Sequence, residues 1–158
     1  MCTQIRFPIQ LSLVLSALIM IWPAAAADGR SPPSAECPQP RFTGKAPAEI
    51  YGLSNPLSVN AETLAAGERS YRGKSGATSC ATCHGEKGDG KGILASQFEP
   101  RPRNFACTQT VNSIPDGQLF WIIRNGSPGT AMPPISAFGK FTDEEIWQIV
   151  AYLRQLAR

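Results

Sequence analysis

A chain of 158 residues, 42% of them hydrophobic, has room for one compact domain with appendages. Its formal net charge is only +3, from 15 Lys and Arg against 12 Asp and Glu, and no nucleic-acid partner is expected from so small a surplus. A single histidine beside five cysteines and three methionines excludes any site built on two imidazoles.

Residues 1–27 begin with one positive side chain, Arg6, and continue in an apolar run through Leu11, Leu13, Val14, Leu15, Leu18, Ile19 and Ile21 to Ala24-Ala25-Ala26-Ala27. Small residues closing such a run read as a secretory signal, with the mature chain starting near Asp28. An uncleaved anchor is the competing reading, since the uncharged run from Phe7 to Ala27 approaches spanning length. Pro8 and Pro23 bracket its core, and cleavage is favoured; no stable membrane span then remains. The expected location is the periplasm, where thiols meet oxidising conditions. Removing the signal removes Met1, Cys2 and Met20. Cys37 and Cys107 are then left as either a disulfide pair or two free thiols, and Met132 as the last methionine.

Residues 28–58 are rich in proline, from Pro32 to Pro56, and show no sustained apolar periodicity. They read as an extended arm, a plain surface linker unless Cys37 is bridged. The domain proper is residues 59–158. Asn60 caps its first helix, Val59 and Leu64 form a hydrophobic staple, and the helix runs to about Arg72. Gly67 and Tyr71 share one face four residues apart; a glycine there lowers helix stability and points to close approach of another helix.

Cys80-Ala81-Thr82-Cys83-His84 has the C-x-x-C-H spacing that attaches a c-type haem. Two thiols one helical turn apart add to the vinyl groups of one porphyrin and bring the next residue's imidazole beneath the iron. A zinc site would need a further ligand from Cys37 or Cys107, and neither belongs to a second closely spaced pair. A thioredoxin-like centre would need βαβ patterning, which the flanking Gly-rich and Pro-rich segments lack. The stretch Gly85 to Gly92 lacks the Lys-Ser/Thr ending of a phosphate loop and suits a tight turn against the haem edge. In Glu99 to Phe105, Pro100 or Pro102 is placed to offer a carbonyl to the second nitrogen of His84, with Pro102 favoured.

Asp116 is expected to cap a helix carrying Leu119, Phe120, Ile122 and Ile123 that stops at Asn125-Gly126. Met132 follows on a Gly/Pro-rich loop with little to pack against, and is the candidate sixth iron ligand opposite His84. Thr142-Asp143-Glu144-Glu145 is a capping box, with Phe141 and Ile146 as its staple. Ile146, Ile149, Val150, Leu153 and Leu156 or Ala157 form the apolar stripe of the last helix. Trp147 and Tyr152 add aromatic surface.

These residues resemble the class I cytochromes c: Cys80 to His84, Gly67 with Tyr71, Ile123-Arg124-Asn125-Gly126, Met132-Pro133 and Ile149 to Arg154 fall in that family's order over residues 60 to 158. The resemblance implies an all-α fold whose first and last helices cross beside one covalently bound haem c, Gly67 allowing contact near Tyr152. The cofactor-binding residues are then Cys80, Cys83, His84 and Met132, with His84 and Met132 as the metal ligands. Both axial positions being filled, the expected role is that of an exported monohaem electron carrier and not an enzyme, shuttling single electrons between redox partners such as a dehydrogenase, an oxidase or a respiratory complex. The alternatives are a haem subunit permanently docked on a dehydrogenase, and a sensor or peroxidase with labile Met132; the lack of a second histidine argues against a peroxidase. Between Arg72 and Lys140 eight basic side chains (Arg72, Lys74, Lys87, Lys91, Arg101, Arg103, Arg124 and Lys140) face four acidic ones, Glu86, Asp89, Glu99 and Asp116. Such a rim suits an acidic docking face on the partner.

Overall fold

The computed structural model describes residues 37–39, 43–73 and 79–158. The expected export signal, Cys2 and Lys74 lie outside the described residues. Among those described, the regular elements are six α-helices, α1 (Ala48–Tyr51), α2 (Ala61–Arg72), α3 (Cys80–His84), α4 (Thr108–Asn112), α5 (Asp116–Asn125) and α6 (Asp143–Leu156), and two 3-10 turns, Ala95–Gln97 and Ile135–Phe138. There is no strand among them.

Local chemistry sets the ends of the two principal helices. Asn60 Oδ1 accepts from the Thr63 amide at 2.9 Å and opens α2. Thr142 and Glu145 form the reciprocal box of α6, Thr142 Oγ1 accepting from Glu145 N at 3.2 Å and Glu145 Oε2 from Thr142 N at 2.9 Å. With their N-termini capped, α2 and α6 cross in the most extensive helix contact among the described residues. Gly67 is the reason they can: a Cβ there would run into the Gln148 carbonyl of α6 and lie 2.9 Å from Tyr152 Cβ. One turn on, Tyr71 is fully buried and packs against Tyr152, ring centroids 5.4 Å apart. Ile146, Ile149, Val150 and Leu153 carry the α6 stripe into the same core, joined by Val111, Leu119, Phe120 and Ile123.

Two expectations need correction. Asp116 does not cap α5: Pro115 holds the cap position and Asp116 is the first helical residue. Its carboxylate has other partners, accepting from Arg154 Nη2 at 2.6 Å and from the Asn55 amide at 3.0 Å. Nor is the described part of the arm extended throughout. Pro47, whose fixed φ suits a helix start, opens the short helix α1, and the segment lies along α5. Gln118, buried on α5, clamps it from both ends of its amide, accepting from Ala46 N and donating to the Gly44 carbonyl, each at 2.8 Å. Leu53 O accepts from Gly117 N at 2.9 Å, and Asn55 Nδ2 donates to Trp147 O at 2.8 Å. Upstream, Cys37 and Cys107 are bridged, their Cα atoms 5.5 Å apart across 70 residues of sequence. Closing a loop of that length contributes roughly 4 kcal/mol by chain entropy, and it leaves neither cysteine free to ligate zinc.

Candidate functional site

A five-residue helix such as α3 is too short to persist alone. The segment after it supplies what it lacks. Gly85 N donates to Ala81 O and Gly90 N to His84 O, each at 2.8 Å, while Gly92 N reaches Cys83 O and Leu94 N reaches Thr82 O at 3.1 Å. The last carbonyls of the helix, otherwise orphaned, are thereby satisfied. Gly92 is obligatory at this approach, because a Cβ would press within 2.6 Å of the Cys83 carbonyl. The glycine-rich stretch thus turns against the backbone of the motif helix.

His84 is buried, stacked on Phe105 with ring centroids 4.5 Å apart. Its Nδ1 lies 3.0 Å from the carbonyl oxygen of Arg103. A carbonyl only accepts, so Nδ1 carries the proton and, in the neutral ring, Nε2 carries the lone pair. Sequence placed the supporting carbonyl on Pro100 or Pro102; it belongs to Arg103. The Phe105 amide is drawn 2.5 Å from Gly88 O and the Asn104 amide to Gln39, which turns the carbonyl just beyond Pro102 toward the ring.

Cys80, Cys83, His84 and Met132 line one cavity of about 1080 Å³, its mouth included. Leu119, Ile123, Ile135, Phe138, Ile149 and Leu153 form apolar walls. Met132 enters from the loop after α5, and that loop is stiffened by its own bonds: Ser127 N to Met132 O at 3.1 Å, Thr130 Oγ1 to Ser127 O at 2.8 Å, Met132 N to Thr130 Oγ1 at 3.2 Å. Burial pushes the Cys80 thiol up to about 11 and the Cys83 thiol up as well, so both are neutral thiols near pH 7. Tyr71 also lines the cavity; burial raises its phenol, which stays protonated and donates to Gly85 O at 2.8 Å.

The residues fit a largely apolar group with a polar edge. Ser127, 6% exposed and in the cavity wall, holds the one buried side-chain polar atom among the described residues that lacks a hydrogen-bond partner. Such a hydroxyl is expected to meet a polar group of the occupant. Neither it nor the Arg103 carbonyl was identified from sequence; a serine in a Gly/Pro-rich loop reads as a turn residue, and a backbone carbonyl leaves no mark in side-chain pattern.

The crossing of α2 and α6 over a cavity lined by a C-x-x-C-H helix and a methionine loop defines a class I c-type cytochrome. The family described as "Cytochrome C oxidase, cbb3-type, subunit III" matches residues 62–153, more than half of the chain, and the chain belongs to that family. Its cytochrome c domain implies haem c binding and a role in electron transfer. Among solved structures, the chain is similar to one in the reducing HAO-like protein complex of Kuenenia stuttgartiensis, with 25% identity and a TM-score of 0.53 over 68% of this chain. The match covers 49% of that protein, so this chain spans about half its length. No curated protein matches at a significant level.

Proposed function

We propose that the protein is an exported, periplasmic carrier of single electrons in which Cys80 and Cys83 would hold one haem c covalently and His84 and Met132 would ligate its iron. The observation that carries this reading is the convergence of these four side chains on one apolar cavity, with His84 Nδ1 already committed to Arg103 O. When bound, haem supplies one-electron iron chemistry. The chain's own part is to position and to exclude: α3 presents both sulfurs and the imidazole, the braced loop presents the thioether, and the apolar walls keep water from the centre. Those walls disfavour the extra charge of the oxidised state, which supports a comparatively high potential. No side chain is asked to act as acid, base or nucleophile.

Partners on this reading are redox proteins, a dehydrogenase, an oxidase or a respiratory complex, docking through an acidic face. Lys91 and the 83% exposed Ile93 stand on the segment folded over the motif helix and support a docking edge there. A haem subunit permanently docked in a larger assembly is the second reading, favoured by the similar chain's being part of a protein complex. The test is Met132→Ala in the haem-loaded protein. It should lose the methionine-to-ferric-iron charge-transfer band and bind carbon monoxide or cyanide; a retained band with closed coordination refutes the ligand set.

A further inference from the structure

Gln39 and the Cys37–Cys107 bridge lie away from the cavity lining, and the function proposed above gives them no task. Gln39 is nevertheless 8% exposed and held by three hydrogen bonds. Its N–H donates to Thr110 Oγ1 at 3.0 Å, and its backbone carbonyl accepts from Arg103 Nη1 at 3.3 Å. Its side-chain Oε1 accepts from the Asn104 amide at 2.8 Å. The bridge two residues upstream fastens this short strap to Cys107, three residues from Thr110.

The third bond matters because of what shares its peptide. The Arg103–Asn104 peptide is trans, so its N–H and C=O lie in one plane and point in opposite directions. With the N–H drawn to Gln39, the C=O is aimed the other way, and there it receives His84 Nδ1 at 3.0 Å. Gln39 therefore fixes the orientation of a carbonyl that holds the candidate iron ligand, without itself lining the cavity. Hydrogen bonds in series also polarise one another, so the Gln39 contact makes the Arg103 carbonyl a better acceptor. A stronger bond at Nδ1 makes the imidazole a more basic ligand, which favours the ferric state.

We propose that Gln39, fastened by the Cys37–Cys107 bridge, is a positioning residue that sets the strength of the His84 Nδ1 hydrogen bond and through it lowers the reduction potential of the bound haem. This rests on the reading of His84 as an iron ligand. The test uses haem-loaded, full-length protein and three variants: Gln39→Met, nearly isosteric but unable to accept from Asn104; Thr110→Val, which releases the Gln39 amide and disturbs the site least; and the paired Cys37→Ser, Cys107→Ser. Reduction potential is measured by spectroelectrochemistry, and exchange of the His84 Nδ1 proton by NMR of the ferrous protein. In Gln39→Met the ferric-to-ferrous equilibrium should shift toward ferrous by about three- to tenfold, tenfold being about 59 mV for one electron, with faster Nδ1 exchange. The other variants should move both readouts in the same sense and by less, and Thr110→Val decides the matter if Gln39→Met does not fold. A haem-loaded variant set with unchanged potentials, or shifted potentials with unchanged Nδ1 exchange, overturns the inference alone. A wild-type chain with no covalent haem by intact mass and pyridine haemochrome overturns the proposed function, and the inference with it.

Discussion

Gly67→Ala sets two magnitudes against each other. In an exposed helix this change stabilises by about 1 kcal/mol, because alanine loses less backbone entropy on folding. In α2 the added methyl would lie 2.7 Å from the Gln148 carbonyl carbon and 2.9 Å from Tyr152 Cβ, and closer still to the Gln148 oxygen. Comfortable carbon contacts are about 3.5–4.0 Å, so α2 and α6 must part by about 1 Å. No rotamer change relieves a clash with backbone, which places the penalty toward the upper end of the roughly 1–3 kcal/mol typical of overpacking. A gap of 0.5–1 Å also forfeits a quarter to a half of each dispersion contact along the crossing, the Tyr71–Tyr152 pair included. The expected net effect is destabilisation by about 2 kcal/mol, seen as a lower denaturant midpoint at unchanged m-value, with Gly67→Val worse. An alanine variant as stable as wild type, or more so, would refute the close crossing.

Arg154 joins three partners in one fork, Asp116 at 2.6 Å and the Val111 and Ile114 carbonyls at 2.5 Å. Arg154→Ala should cost about 2–3 kcal/mol, less than a fully buried pair because both side chains keep about a quarter of their exposure; Arg154→Lys should recover under half of it, and a lysine matching wild type in denaturant melts would refute the fork. Thr142→Ala removes the α6 cap and should cost about 1 kcal/mol in the same melts, with no change at all counting against the box. Electron transfer to an acidic partner should slow as salt rises, since exposed charges are screened over about 10 Å at 0.1 M. Arg72 is engaged by Glu68 and Glu86 and Arg124 by Asp143, and charge reversal at Lys87 and Lys91 should weaken that dependence; stopped-flow rates flat with salt would mean apolar docking.

What could be read in advance was local and periodic. Asn60, the Thr142 box and the spacing of Ile146, Ile149, Val150 and Leu153 each act within one helix, and Gly67 four residues before Tyr71 marks a contact surface whatever its partner. Cys80, Cys83, His84 and Met132 were legible because two of these residue types occur once each in the expected mature chain. What sequence did not yield depends on contacts distant in the chain. Asp116 looks like a cap and instead meets Arg154 across 38 residues; Gln118 looks like an ordinary helix residue and clamps Gly44 across 74. The carbonyl behind His84 was misplaced by one residue for the same cause, since a proline marks an extended backbone but the direction of the next carbonyl was decided by Gln39, 65 residues from Asn104.

The elements that present the candidate ligands have little rigidity of their own. The helix α3 is barely one turn, and Met132 sits on a loop. Their stiffness comes from two separate sources. The α2–α6 crossing supplies the core on which both rest, so Gly67 or Arg154 variants should lower global stability while the potential of whatever folded protein remains stays near its original value. The strap formed by Cys37, Gln39 and Cys107 meets the site through the Arg103 side chain and the Arg103–Asn104 peptide, so its variants should move the potential beyond what their loss of stability accounts for. Measuring denaturant midpoint and potential on both sets separates the two: proportional changes across all variants would mean that the strap is only another part of the core.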